Sequence, residues 1–120
     1  MSRLGDDLAT LLGALETAGI RAGVGGQLTA PCVLVQAGDP WSEPRRLPGR
    51  VGRWRLSAVA GAVDTRGGLE ELGELVDAID GALRTVEGCE LPTWGRPTVI
   101  ALDDGVRRPA AIGTVQYASS

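Results

Sequence analysis

Residues 50–63 read RVGRWRLSAVAGAV. Trp54, Leu56, Ala58, Ala60 and Ala62 alternate with Arg53, Arg55, Ser57, Val59, Gly61 and Val63, and a period of two defines a strand. One face is apolar throughout. The other begins with arginines and ends apolar. The next stretch, DTRGGLEELGELVDAIDGALRTVEG at 64–88, changes period. Leu69, Leu72, Leu75, Val76, Ile79, Ala82, Leu83 and Val86 form a helical stripe, predicting a helix over about 67–86. Asp64 or Thr65 caps its start, Glu70 and Glu71 suit its first turn, Arg84 its last, and Gly88 stops it. A long strand feeding an amphipathic helix sets the fold class, and the flanking segments fit around it.

Upstream, Leu4, Leu8, Leu11, Leu12 and Leu15 recur along one helical face, so residues 4–18 form a first helix. Ser2 is placed to cap it. Asp6 and Asp7 lie near its positive end, and Gly19 ends it. RAGVGGQLTA, 21–30, is a glycine-rich link. It lacks the GK[ST] ending of a phosphate loop and no strand precedes it. PCVLVQA, 31–37, is a strand with both faces apolar. GDPWSEPRRLPG, 38–49, carries three prolines and reads as a loop or irregular arm. Downstream, PTVIALD and the segment Val106–Tyr117 form a hairpin around Asp104-Gly105, with Pro109 at an edge or a bulge. The order is αββαββ over one domain, 1–120. The fold class is α+β, a mainly antiparallel sheet with both helices packed on one face.

Strand 31–37 and the end of strand 50–63 are apolar on both faces, and two helices cover only one. The sequence therefore predicts that a neighbouring subunit buries the second face, with Val59 at that contact. The tryptophans divide. Trp54 belongs to the core. Trp41 and Trp94 lie in Pro- and Gly-flanked segments, where an indole either anchors an interface or folds over the domain's own core.

The chain carries a net charge of −3, and all twelve of its basic residues are arginine. That balance does not suit a general DNA-coating protein, for which a basic domain is expected. Five of the arginines fall in RRLPGRVGRWR, 45–55: Arg45, Arg46, Arg50, Arg53 and Arg55. Arg53 and Arg55 are two apart on a strand and share a face, with Trp54 turned inward between them. Arg45, Arg46 and Arg50 sit in the proline-broken arm. There is no histidine, which removes the commonest general base and metal ligand. The acidic pairs Asp6/Asp7, Glu70/Glu71 and Asp103/Asp104 are explained by helix starts and a turn. No serine has a nucleophile-elbow context. No catalytic residue, metal site or cofactor is expected. Cys32 and Cys89 are too few for zinc without imidazole, and their spacing does not decide whether they pair. No apolar run approaches the roughly 20 residues of a membrane span, and no signal peptide opens the chain; a cytoplasm-like compartment is expected.

A leucine-rich helix ending in Gly19, the PCVLVQAGDPW strand with its proline-rich arm, the WRLSAVAGAVDTRGGLEELGELVDAIDGAL block and a closing hairpin together resemble the tail terminator (tail completion) proteins of long-tailed bacteriophages, in particular those of actinobacterial hosts. The resemblance covers nearly the whole chain as a pattern of elements, without a fixed motif. It implies a non-enzymatic virion protein, made in the host cytoplasm and placed at the head–tail junction. Its partners would be copies of itself in a ring, commonly a hexamer, the major tail tube protein and the head–tail connector. Genomic DNA would pass through the lumen without specific binding. Trp41, Arg45, Arg46, Arg50, Arg53, Arg55 and Val59 are the expected interface residues. The alternatives are another head–tail connector or stopper subunit, or a small nucleic-acid-binding αββαββ module using Arg45–Arg55.

Overall fold

The computed structural model describes residues 3–44 and 50–118. Eight elements follow in the order α1 (Arg3–Thr17), β1 (Ala22–Gly23), β2 (Cys32–Pro44), β3 (Arg50–Val59), α2 (Thr65–Leu83), β4 (Thr93–Trp94), β5 (Thr98–Ala101) and β6 (Arg107–Tyr117). The chain is α+β as expected, with two helices and a mixed sheet of six strands. The element order is corrected from αββαββ to αβββαβββ, because two two-residue strands lie in segments that read as links. The sheet runs β1-β2-β3-β6, and β4 and β5 both pair with the far edge of β6. β1 is parallel to β2 and every other pairing is antiparallel.

Alternation in β3 assigns the two faces. Trp54, Leu56, Ala58 and Ala60 pack with Val33 and Val35 of β2 and with Ala111, Val115 and Tyr117 of β6. Leu11 and Leu15 of α1 and Leu72, Ile79, Ala82 and Leu83 of α2 close this main core from above. α1 ends at Gly19, whose φ of 81° is a backbone conformation that glycine adopts without strain. α2 begins two residues earlier than its apolar stripe suggests. Asp64 is its N-cap, with a side-chain oxygen accepting the Gly67 N–H at 2.8 Å.

Two further expectations are corrected. Residues 38–44 continue β2 instead of leaving the sheet as an irregular arm. The register with β3 shifts between Ala37 and Ser42, then resumes at Ser42↔Gly52, Glu43↔Val51 and Pro44↔Arg50. Pro40 falls in the shifted stretch, where it forfeits no ladder bond to β3. The second sheet face is also covered from within the chain. Cys32, Leu34, Val59, Leu102 and Ala110 form a second cluster, with Leu28, Ala30 and Ile100 against it. The glycine-rich link crosses this face and is tied down where Asp103 N–H donates to the Gly26 carbonyl at 2.9 Å. Val59 is 0% exposed, so it offers no surface to a neighbour.

Candidate functional site

The feature that stands apart from the packed layers is the end of the β2–β3 hairpin. Pairing of β3 with β6 stops at Gly52↔Tyr117, so Ser42–Pro44 and Arg50–Val51 continue as two strands without a third. Arg45 and Arg46, expected at the tip, lie outside the described residues. The molecule measures 47 × 25 × 23 Å along its principal axes.

One residue fastens this arm to the helical layer. Arg3, in the first turn of α1, donates from Nη1 to Ser42 Oγ at 3.1 Å and from Nη2 to the Arg50 carbonyl at 2.8 Å. It thus holds one atom from each strand. Its guanidinium carbon stands 5.5 Å from the centroid of the Trp41 ring, within cation–π range. Its Nε lies 3.9 Å from Asp7 Oδ2, one helical turn along. Trp41 meets Trp54 edge-to-face, with centroids 6.2 Å apart and planes at 77°. Trp41 therefore folds over its own core and is half-buried.

This junction buries polar atoms that have no protein hydrogen-bond partner. Asp7 is 2% exposed, and its Oδ2 lacks a hydrogen-bond donor, as the Trp41 and Trp54 indole N–H groups lack acceptors. Both indole nitrogens crowd Gly52, where a Cβ would come within 3.3 and 3.4 Å of them. A buried carboxylate is costly without a cation nearby, and Arg3 supplies the positive charge.

The remaining arginines divide between the two sheet faces. Arg50 Nε donates to Ser42 Oγ at 2.8 Å on the helical side. Arg53 and Arg55 share the opposite face, as their spacing required. Arg53 pairs with Glu43 at 3.0 Å, and both side chains are more than a third exposed, so the pair adds little stability. Arg55 is exposed, in register with Gln36 and Thr114. The expected basic run is thus broken up: one arginine neutralised, one braced, one open.

Trp94 also turns inward. Its Nε1 donates to Asp80 Oδ1 of α2 at 3.0 Å. Its ring lies over Gly113, where a Cβ would stand 2.7 Å from the indole. Both thiols are free, Cys32 in the second cluster and Cys89 against the main core. Burial, with the Glu90 charge, pushes Cys89 up to about 11. Burial raises Cys32 against the opposing pull of Arg21 and Arg108. Neither thiol is primed as a nucleophile. No group of three metal-ligating side chains occurs among the described residues. No described helix is long and apolar enough to cross a membrane.

Arg3, Ser42 and Glu43 were not singled out from the sequence, and Asp7 was read only as a charge suited to the start of the first helix. A signal for Asp7 existed: it lies four residues before Leu11, on the stripe that must be buried, and four after Arg3. No protein-family model and no curated protein matches the chain.

Proposed function

We propose that this protein is a structural virion subunit that forms a ring on the end of a bacteriophage tail tube, ends its elongation and presents a surface to the head connector. It acts without catalysis, and its partners are further copies of itself, six to the ring, together with tube and connector proteins. The observation that carries the proposal is the braced arm. A projecting hairpin end is costly to order unless something uses it. Here Arg3, Trp41 and Ser42 tie its base to the helical layer. Its sequence is basic, while Glu70, Glu74 and Asp77 stand exposed on α2. In a head-to-tail ring, the arm of one subunit meets the acidic helix of the next, and arginine suits carboxylates. Glu71, which belongs to the same acidic run, is turned inward to accept the Gly61 N–H and is not part of that surface.

The alternative connector or stopper role uses the same arm and differs in the partner. A nucleic-acid-binding module is less favoured, because Arg53 is already paired and Arg50 faces away from Arg55. Electron microscopy and mass measurement on the chain mixed with purified tail tubes test the proposal. A ring with a central opening at the tube end is expected. A monomer or dimer that ignores tubes and binds DNA with steep salt dependence overturns it.

A further inference from the structure

A second surface lies at the other end of the sheet and belongs to none of the contacts above. Val63, Leu69 and Val99 are 59%, 44% and 48% exposed, unusual for large aliphatic side chains gathered in one place. They line a cleft of about 390 Å³ between the start of α2 and β5. Arg96 and Arg107 line it, neither is in an ion pair with a described residue, and no acidic residue is among the described residues that line it. Arg108, also in the lining, is occupied by Asp104 at 2.9 Å.

The cleft runs alongside an open strand edge. The Pro109 carbonyl accepts from Ala60, so odd residues of β6 face β3 and even residues face β5. Thr98 pairs with Ala110 and Ile100 with Arg108. Alternation of the ladder then turns the backbone N–H and C=O of Val99 and Ala101 outward. No described strand takes them up. Two donors and two acceptors therefore stand beside an apolar cleft rimmed by unpaired positive charge.

We infer that this edge accepts an extended acidic segment of another protein, added as a strand antiparallel or parallel to β5. Its backbone would complete the ladder at Val99 and Ala101. Alternate apolar side chains would enter the cleft between Val63, Leu69 and Val99. Intervening carboxylates would meet Arg96 and Arg107. Pairing of β5 with β5 of a second copy is disfavoured, since it brings the same arginines of both copies together without carboxylates. The surface is independent of the ring proposed above.

The probe is an acetylated, amidated eight-residue peptide of alternating valine and glutamate, titrated into the isotope-labelled full chain and followed by NMR. Shifts are expected at the Val99 and Ala101 amides and at the Val63, Leu69 and Val99 methyls, with slowed hydrogen exchange at those two amides. Affinity should fall with added salt. It should drop at least tenfold in the Arg96→Glu/Arg107→Glu double variant and in Leu69→Asp, both at exposed positions, with melting curves confirming the fold. Three results overturn the inference: no shift at millimolar peptide, equal binding of a valine–lysine peptide, or shifts that bypass β5. Concentration-dependent shifts at β5 without peptide also overturn it, by showing that a second copy is the occupant.

Discussion

Arg3 touches four groups at once: the Trp41 ring, Ser42 Oγ, the Arg50 carbonyl and the Asp7 carboxylate. Replacing it with alanine leaves Asp7 buried without its nearest cation and releases the arm. We expect Arg3→Ala to cost about 1–3 kcal/mol, reduced from the fully buried case because the arginine is partly exposed. Asp7→Asn removes the charge but keeps the shape, so the double variant should recover part of that loss. Chemical denaturation of the four-member cycle measures the coupling. Trp41 emission should shift in Arg3→Ala, since the guanidinium leaves its ring. Asp104 gives a second test at this scale. The Val106 N–H, then Arg108 by hydrogen bond and charge, hold its carboxyl below the ordinary aspartate value of 3.8. The ionised form is the one the fold favours. Its contribution is present above the unfolded carboxylate's pKa and disappears as pH falls through the lowered folded value. An NMR titration should place the Asp104 midpoint below 3.8.

Elements were legible where a long period was available and illegible where pairing decided. The α2 stripe could be read because four of its members are buried in the main core, yet it overcounted: Leu69 is exposed and Leu75 only half-buried. Ile79, at 0% exposure, should therefore lose about 2–5 kcal/mol on change to alanine, and Leu75→Ala distinctly less, by chemical denaturation. The arm was misread because prolines signal loops locally, while the pairing of residues 42–44 with 50–52 is a property of two segments at once. Both faces of β3 were correctly seen as apolar at its end. What covers the second face was not visible, because a glycine-rich link has no period to betray a strap. Val59→Glu consequently tests packing and not assembly. It places a carboxylate among Cys32, Leu34, Leu102 and Ala110 and should destabilise the monomer itself by about 3 kcal/mol or more. A well-folded Val59→Glu protein would refute the placement of that cluster.

At the scale of the whole molecule, the charge distribution matters more than the net −3. Among the described residues, Arg3, Arg50 and Arg53 gather at the end of the β2–β3 hairpin, while exposed carboxylates line one face of α2. Such a polar arrangement cannot satisfy itself within one copy if the arm points away from α2, but it can be satisfied head to tail. A repeated rotation then closes into a ring, provided the interface angle is fixed. In the proposed ring the Arg3 brace would fix that angle, because a loosely hinged arm would permit many angles and no closure. Charge reversal of Arg45→Glu with Arg46→Glu should weaken ring assembly or tail attachment. The monomer's fold should survive, since the brace lies at Trp41, Ser42 and Arg50 and uses neither arginine. Reversing the proposed acceptors as well, Glu70→Arg with Glu74→Arg, should restore part of the assembly if arm and helix meet directly. Native mass measurement and microscopy of tubes report all three outcomes. Assembly untouched by the arm variant, with only DNA retention or ejection altered, would move the arginines from a protein contact to a nucleic-acid one.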